Sequence, residues 1–179
     1  MAQRGPDLWL TAGKALVVAD VEITLEALCA RTGKTRGSFY HHFASVEAYR
    51  SALLEHWRRQ ATLDIIAQVD GLGSDRIDRL NAMATREDHR FERALRALGV
   101  WHADIGRSVE EVDQLREAYL VRLAREDLKL DAETAQAVAR LGMALFIAGQ
   151  MRAPDDLEGF NVAAETWLMA QLLPQAPGR

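Results

Sequence analysis

The sequence predicts an all-α chain, and three observations predict it. Ala, Leu, Arg and Glu, all good helix formers, dominate a composition that holds only four prolines. Apolar residues recur three and four apart in one segment after another, which is the mark of a helical face turned to a core. Breaks bearing glycine or proline separate those segments. With 179 residues, 49% of them hydrophobic, the chain can bury a substantial core as one compact unit or as two small subdomains.

Residues 1 to 5 are expected to be a disordered tail. A first helix opens at Pro6 and Asp7, where helix N-termini favour a proline and an acid, and it carries Trp9, Ala12, Leu16 and Ala19 on one stripe. A loop from Asp20 to Ile23 delivers the chain to the stretch ITLEALCARTGKTRGSFYHHF, Ile23 to Phe43. There Leu25, Leu28 and Cys29 recur at helical spacing, Thr24 stands as N-cap, and Gly33 follows where a left-handed residue ends a helix. A short helix starts near Thr35 and buries Phe39 and Phe43, leaving Arg36, Ser38, Tyr40, His41 and His42 at other angles. Helix, glycine turn, short helix is the helix-turn-helix signature, although this pattern alone leaves a plain αα-hairpin open.

The outward residues suit a helix that reads DNA. Arg36 can fork onto guanine or grip phosphate, Thr35 and Ser38 can meet phosphate or a thymine methyl, and Tyr40, His41 and His42 can donate to phosphate oxygens. Gly37 has no side chain, so the backbone can approach closely there. The string GKTRGSFYHHF, followed by Ala44, Ser45, Val46 and Glu47, resembles the DNA-binding end of the TetR/AcrR family of bacterial repressors, closely over residues 7 to 60 and weakly beyond. The resemblance implies a three-helix DNA-binding head over residues 1–45 and a six-helix ligand-binding and dimerisation body over 46–179, about nine helices in all, with the fourth helix linking them. It implies that Thr35, Arg36, Gly37, Ser38, Tyr40 and His41 face DNA and that Thr24 contacts phosphate, with Arg4 a minor addition. Two positions depart from the family. Val46 stands where many relatives carry a lysine, which leaves a phosphate there only the helix-four amides and dipole. The usual glycine in the Asp20–Ile23 connection is also absent.

The formal charge of −4 is unevenly spread: residues 1 to 60 carry eight Lys+Arg against six Asp+Glu, and residues 61 to 179 carry fourteen against twenty. The positive excess coincides with the motif, as for a DNA-facing head on an acidic body. Cys29 is the single cysteine; it excludes an internal disulfide and a multi-cysteine zinc site, and its spacing makes it a core residue. Met1 to Leu16 has neither the basic start nor the unbroken apolar run of a signal peptide. No window of about 18 apolar residues occurs, so the expectation is a cytoplasmic protein with no membrane partner.

From Ser45 a helical pattern runs to about Val69, with Tyr49, Leu53, Trp57 and Ala61 on one face and Ile65, Ile66 and Val69 beyond. At about 25 residues it is roughly 37 Å long, and Gly71, Gly73 and Ser74 mark its end. Residues 74 to 84 read as a short helix through Ile77, Leu80 and Met83. A further helix is expected from about Arg86 to Ala103, carrying Phe91, Leu95, Leu98 and Trp101. Ser108 to Glu111 is a capping-box sequence expected to open the next helix, which holds Val112, Leu115, Tyr119, Leu120 and Leu123 and ends near Leu128. Arg96, Asp113 and Arg116 match a body pattern of one TetR-like subgroup, as a buried polar cluster or as solvated surface charges. Asp131 caps a helix to about Met151. After Pro154, Asp155 or Asp156 caps a last helix, apolar on more than one side from Phe160 to Leu173, and the tail from Pro174 is expected to be loose.

Such a terminal helix pair must lie against something. The resemblance implies a four-helix homodimer interface built on Leu141, Leu145, Ala148, Val162, Trp167 and Leu168; completion of a monomeric core is the alternative. A repressor also needs a second site that couples to the first. Phe91, Leu95, Leu98, Trp101, His102, Tyr119 and Phe146 are the candidate lining for an apolar or aromatic effector, and they equally suit an ordinary core. Met83 and Met151 belong to the same reading. His102 and Asp104 are too few for a metal site, no cofactor is implied, and no phosphate loop, HExxH or Ser-His-Asp set suggests an enzyme. The resulting expectation is a repressor released from a palindromic DNA operator by a small molecule. The alternative is a helical partner-binding protein that keeps the helix-turn-helix but binds DNA weakly.

Overall fold

The computed structural model describes residues 5–73 and 75–172, the side chains at 165, 168, 169, 171 and 172 excepted. Arg4, Ser74, the tail from Pro174 and the side chain of Leu168 lie outside the described residues. Among the described residues every regular element is helical: α1 (Pro6–Val18), α2 (Leu25–Thr32), α3 (Arg36–Tyr40), α4 (Val46–Arg58), a π-helical turn (Arg59–Leu63), α5 (Asp64–Asp70), α6 (Arg76–Arg86), α7 (Arg90–Gly99), α8 (Ala103–Glu126), α9 (Ala132–Arg152) and α10 (Leu157–Leu172). The all-α expectation holds.

The chain divides into two compact units, Met1–Leu63 with Arg90–Glu111 and Asp64–His89 with Val112–Arg179. In the first unit α1 packs on α2, α4 and α7, which draws a segment far along the sequence into the N-terminal helices. Lys14 contributes to that seam: its Nζ donates to Gln60 Oε1 at 2.7 Å and stands 5.8 Å from the Phe91 ring centroid.

An aromatic nucleus organises this unit. Trp9, Phe39, Phe43 and Tyr49 are all buried, with Phe39 centroids 5.3 Å from Trp9, 5.4 Å from Phe43 and 5.6 Å from Tyr49. These separations and their tilted or edge-on planes suit attractive ring contacts. The Tyr49 hydroxyl donates to the Trp9 carbonyl at 2.7 Å, and burial pushes its phenol above the ordinary range. It reaches α1 only because residue 13 is glycine: a Cβ there would overlap the hydroxyl and lie 2.9 Å from Cζ. Ala19, expected on the buried stripe of α1, is exposed, and Leu10 and Val17 are buried beside Leu16. The connection that lacks the family glycine turns through Asp20 at φ 55°, a left-handed conformation that Asp tolerates better than most residues.

In the second unit α5 packs on α6, and α10 on α6 and α9. Ile65, Val69, Tyr119 and Leu123 form its core, with Ile66, Ile77, Leu80 and Met83 packed around them. A polar clasp closes over that core. Tyr119 Oη donates to Asp70 at 3.0 Å, Arg122 Nη2 donates to the same carboxylate at 2.7 and 2.9 Å, and Arg76 pairs with Glu126 and Asp127. The Arg122 hydrogen bonds hold the Asp70 carboxyl below its ordinary value. Burial first, then Asp70, pushes the Tyr119 phenol up to about 12.

Three local expectations need correction. The long helix from Ser45 is interrupted by the π-helical turn at Arg59–Leu63. The helix expected to carry Trp101 ends at Gly99, because the backbones of Gly99 and Gly106 cross in contact; a Cβ on Gly106 would stand 2.8 Å from the Gly99 carbonyl oxygen. The capping box at Ser108 is not a helix start, since α8 begins at Ala103 and the Ser108 hydroxyl donates back to the Asp104 carbonyl at 3.1 Å. Asp131 caps its helix as expected, accepting from the Thr134 amide; of Asp155 and Asp156 it is Asp156 that accepts from Gly159, at 3.1 Å; and Ser45 also caps α4, accepting from the Ala48 amide.

Gly13→Ala should destabilise the protein by about 1–3 kcal/mol, the usual cost of overpacking a filled core, and Tyr49→Phe in the same chain should recover part of that loss. Urea unfolding measures both; a wild-type midpoint for Gly13→Ala would show that Tyr49 does not pass beneath α1.

Candidate nucleic-acid interface

The helix-turn-helix is set by three local devices. Thr24 Oγ1 accepts from the Ala27 amide at 3.1 Å and starts α2. Gly33 at φ 65° ends it, with its amide on the Cys29 carbonyl. Thr35 Oγ1 accepts from the Ser38 amide at 3.3 Å and starts α3. Five residues make a helix too short to hold its own shape. Phe39, the one buried residue of α3, fixes it to the aromatic nucleus, and Phe43 does the same just beyond its end.

That anchoring leaves Thr35, Arg36, Gly37, Tyr40 and His41 exposed and Ser38 half-buried. Tyr40 rests edge-on against Phe39 at 5.5 Å, and His41 stacks edge-on with the exposed His42 at 5.0 Å. Thr24 is half-buried at the start of α2. Because its oxygen accepts the capping bond, its hydroxyl proton remains able to donate, and Thr35 is in the same position. Cys29, expected in the core, is only partly buried. Arg50 Nη2 donates to the Ile23 carbonyl at 3.0 Å, which ties the Asp20–Ile23 loop to α4.

Two acids change the electrostatics of this face. Glu26 on α2 forms an ion pair with Arg36, both side chains largely exposed, so the guanidinium best suited to a guanine is held by a neighbour. At the start of α4, beside Val46, Glu47 lies in the first turn, and its own backbone amide followed by the Ser45 hydroxyl holds its carboxyl below the ordinary value. A phosphate at this terminus therefore meets a carboxylate that already uses the helix dipole. Neither acid was singled out from the sequence. Glu26 was findable, since it lies one element before Arg36 in a two-helix hairpin.

The seven candidate effector residues fall in both units. In the first, Phe91 and Leu95 are buried, and Leu95, Leu98 and His102 line an open recess of about 390 Å³ with Leu53 and Arg50. Trp101, expected as lining, is 84% exposed at the α7–α8 corner. In the second unit Tyr119 commits its hydroxyl to Asp70. Phe146 lies edge-on to His89 at 5.2 Å, with Arg116 5.5 Å from its centroid. His89 in turn bonds to the Ala84 carbonyl at 2.7 Å and to Gln150 Nε2 at 3.0 Å. Arg96 pairs with Glu92 at 2.9 Å and Arg116 with Asp113 at 4.0 Å, with both arginines mostly buried; they belong to different units. Among the described residues no three His, Cys, Asp or Glu side chains converge on a metal position, and no helix is long and apolar enough to cross a membrane.

The candidate dimer residues lie on the last two helices, which pack together in the second unit. Leu141 is 49% exposed and Trp167 67%. Val162 is exposed, while Leu145 and Ala148 are half-buried. Ala144 and Met151 extend the exposed stripe on α9, and Ala163 and Ala170 extend it on α10.

The fold and the exposed short helix define an all-α, helix-turn-helix protein. No protein-family model matches the sequence, and no curated protein does. Among solved structures, the chain is similar to one described as a candidate transcriptional regulator of the TetR/AcrR family, with a TM-score of 0.71 at 16% identity over 90% of this chain and 96% of that one. The fold is TetR-like.

Glu26→Gln should tighten binding to duplex DNA a few-fold, because it frees Arg36 from a pair worth about 0–1 kcal/mol and removes a carboxylate near phosphate. Fluorescence anisotropy with a labelled duplex measures this. A weaker affinity would mean that Glu26 holds Arg36 in its reading position.

Proposed function

We propose that the chain is a DNA-binding transcription regulator of the TetR type, a regulator and not an enzyme. It works in the cytoplasm as a homodimer that represses from a palindromic operator and is released by an apolar or aromatic small molecule. The observation that carries this reading is the polar face Thr35, Arg36, Gly37, Tyr40 and His41, presented by a short helix whose only buried residue is Phe39, in a chain of TetR-like fold. Arg36 and the hydroxyls supply base and phosphate contacts, Gly37 admits the backbone, and Thr24 adds a donor at the start of α2. Two such helices in a twofold dimer suit half-sites about 34–36 Å apart or a multiple of that.

Exposed Leu141, Val162 and Trp167 on two helices that pack together support the dimer, since large apolar side chains left open to water on one helix pair suit an interface. A second reading is a helical partner-binding protein with weak DNA affinity. It is favoured by the Glu26–Arg36 pair and by Glu47 beside Val46.

Salt separates the two readings. Affinity for a mixed-sequence duplex should fall steeply between about 50 and 200 mM salt, and Arg36→Ala should reduce the log–log slope by about one if Arg36 grips a phosphate, or leave the slope and relax sequence preference by about 1–3 kcal/mol at one base pair if it reads guanine. Flat salt dependence would support the partner-binding reading. Separately, Leu141→Glu with Trp167→Glu should give monomers on sizing that bind DNA poorly; an intact dimer would remove these residues from the interface.

A further inference from the structure

We propose that the recess of the first unit between the end of α1, the Asp20–Ile23 loop, α4 and the α7–α8 corner binds an amphipathic cation, a small molecule with an apolar body and one protonated amine. Every described residue that lines it belongs to that unit. Its volume of about 390 Å³ lies in the range of ligand sites. Leu53 and Leu95, each 2% exposed, are its most buried lining, and half-buried Ile23, Leu98 and Ile105 supply further apolar wall.

Charge gives the site its class. Asp20, Glu22 and Asp104 line the recess and are exposed, and none of these three carboxylates has a hydrogen-bond or ion-pair partner among the described residues. Against them stands one guanidinium, that of Arg50, whose Nη2 donates to the Ile23 carbonyl at 3.0 Å and whose charge also acts on the Glu47 carboxylate. Without the recess these acids would be an ordinary solvated surface. Beside an apolar wall their field is screened by less water, so they select among apolar molecules by charge. A cation gains there and an anion is repelled. His102 adds an acceptor, since a neutral imidazole takes an ammonium N–H through its unprotonated nitrogen.

One wall of the recess is the loop that delivers the chain to α2. Arg50 both lines the recess and holds the carbonyl of Ile23, one residue before the Thr24 cap, and Asp20 turns the same loop at φ 55°. An occupant set between this loop and α4 therefore acts on the start of α2. The proposal deepens the regulator reading by naming a ligand class and its site, and it rests on that reading only for what occupancy controls.

Three probes share one apolar body: 4-phenylbutylamine, 4-phenylbutan-1-ol and 4-phenylbutanoate. Each is titrated by calorimetry into the full-length protein without DNA, at near-physiological salt. The amine is expected to bind saturably and about fivefold tighter than the alcohol, the scale of one exposed ion pair, and the acid is expected not to bind. Asp20→Asn, Glu22→Gln and Asp104→Asn combined should bring the amine to the affinity of the alcohol, which keeps its wild-type value; Asn tolerates the left-handed turn at residue 20. Leu98→Trp, which fills the recess, should abolish binding of both. Circular dichroism confirms that each variant is folded, and the charge variant decides alone if Leu98→Trp is not. No saturable amine binding, an alcohol or acid that binds as tightly as the amine, an amine preference that survives the triple variant, or wild-type binding in a folded Leu98→Trp overturns the proposal. Addition of the amine to a DNA complex reads the regulator role separately: release of DNA supports coupling through the loop, and binding with DNA retained overturns that coupling while the site stands.

Discussion

The Tyr49 hydroxyl, buried beneath α1 and bonded to the Trp9 carbonyl, is the contact on which the N-terminal helices depend. It fixes α4 to α1 at a point that only a glycine at residue 13 allows. The Tyr49 ring, with Trp9 and Phe43, walls the socket that Phe39 fills. A five-residue helix has little stability of its own, so the position of every exposed group on α3 follows from that socket. The core of this unit is therefore the device that presents the candidate reading face.

Electrostatics on that face are closely balanced. The excess of two positive charges over residues 1–60 is small, and part of it is engaged, since Arg36 is paired with Glu26. Glu47 adds a carboxylate at the start of α4, beside Val46, the position at which many members of the resembled family carry a lysine. Binding to DNA then exchanges one partner of Arg36 for another instead of satisfying a free cation, so the net gain is smaller than the count of basic residues suggests. Sequence preference can survive this, because a bidentate fit to one base is a difference between partners.

Much of this architecture was legible because local chemistry decides it. Thr24, Gly33, Thr35, Ser45, Asp131 and Asp156 cap helices where their residue types predict, and Phe39 and Phe43 are buried as their spacing requires. What the sequence did not reveal depends on contacts that the periodicity of a single helix does not encode. The α7–α8 corner exists because Gly99 touches Gly106, a pairing that helical periodicity cannot reveal, and it is what exposes Trp101. Likewise α7 joins the first unit through α1, which no boundary drawn from composition anticipates. Tyr119 suited a pocket on size and polarity, and its hydroxyl donates to Asp70, a bond that spacing does not reveal.

The proposed function requires that α3, held by the Tyr49–Phe39 nucleus, read DNA as one half of a twofold pair. Selection of the purified protein against a pool of random duplexes at near-physiological salt tests it most directly. An enriched inverted repeat, lost when Phe39 is replaced by alanine in a chain that remains helical, is the predicted result. A folded, dimeric protein that enriches nothing would contradict it, and the acids at positions 26 and 47 would then mark a helix-turn-helix that no longer serves DNA.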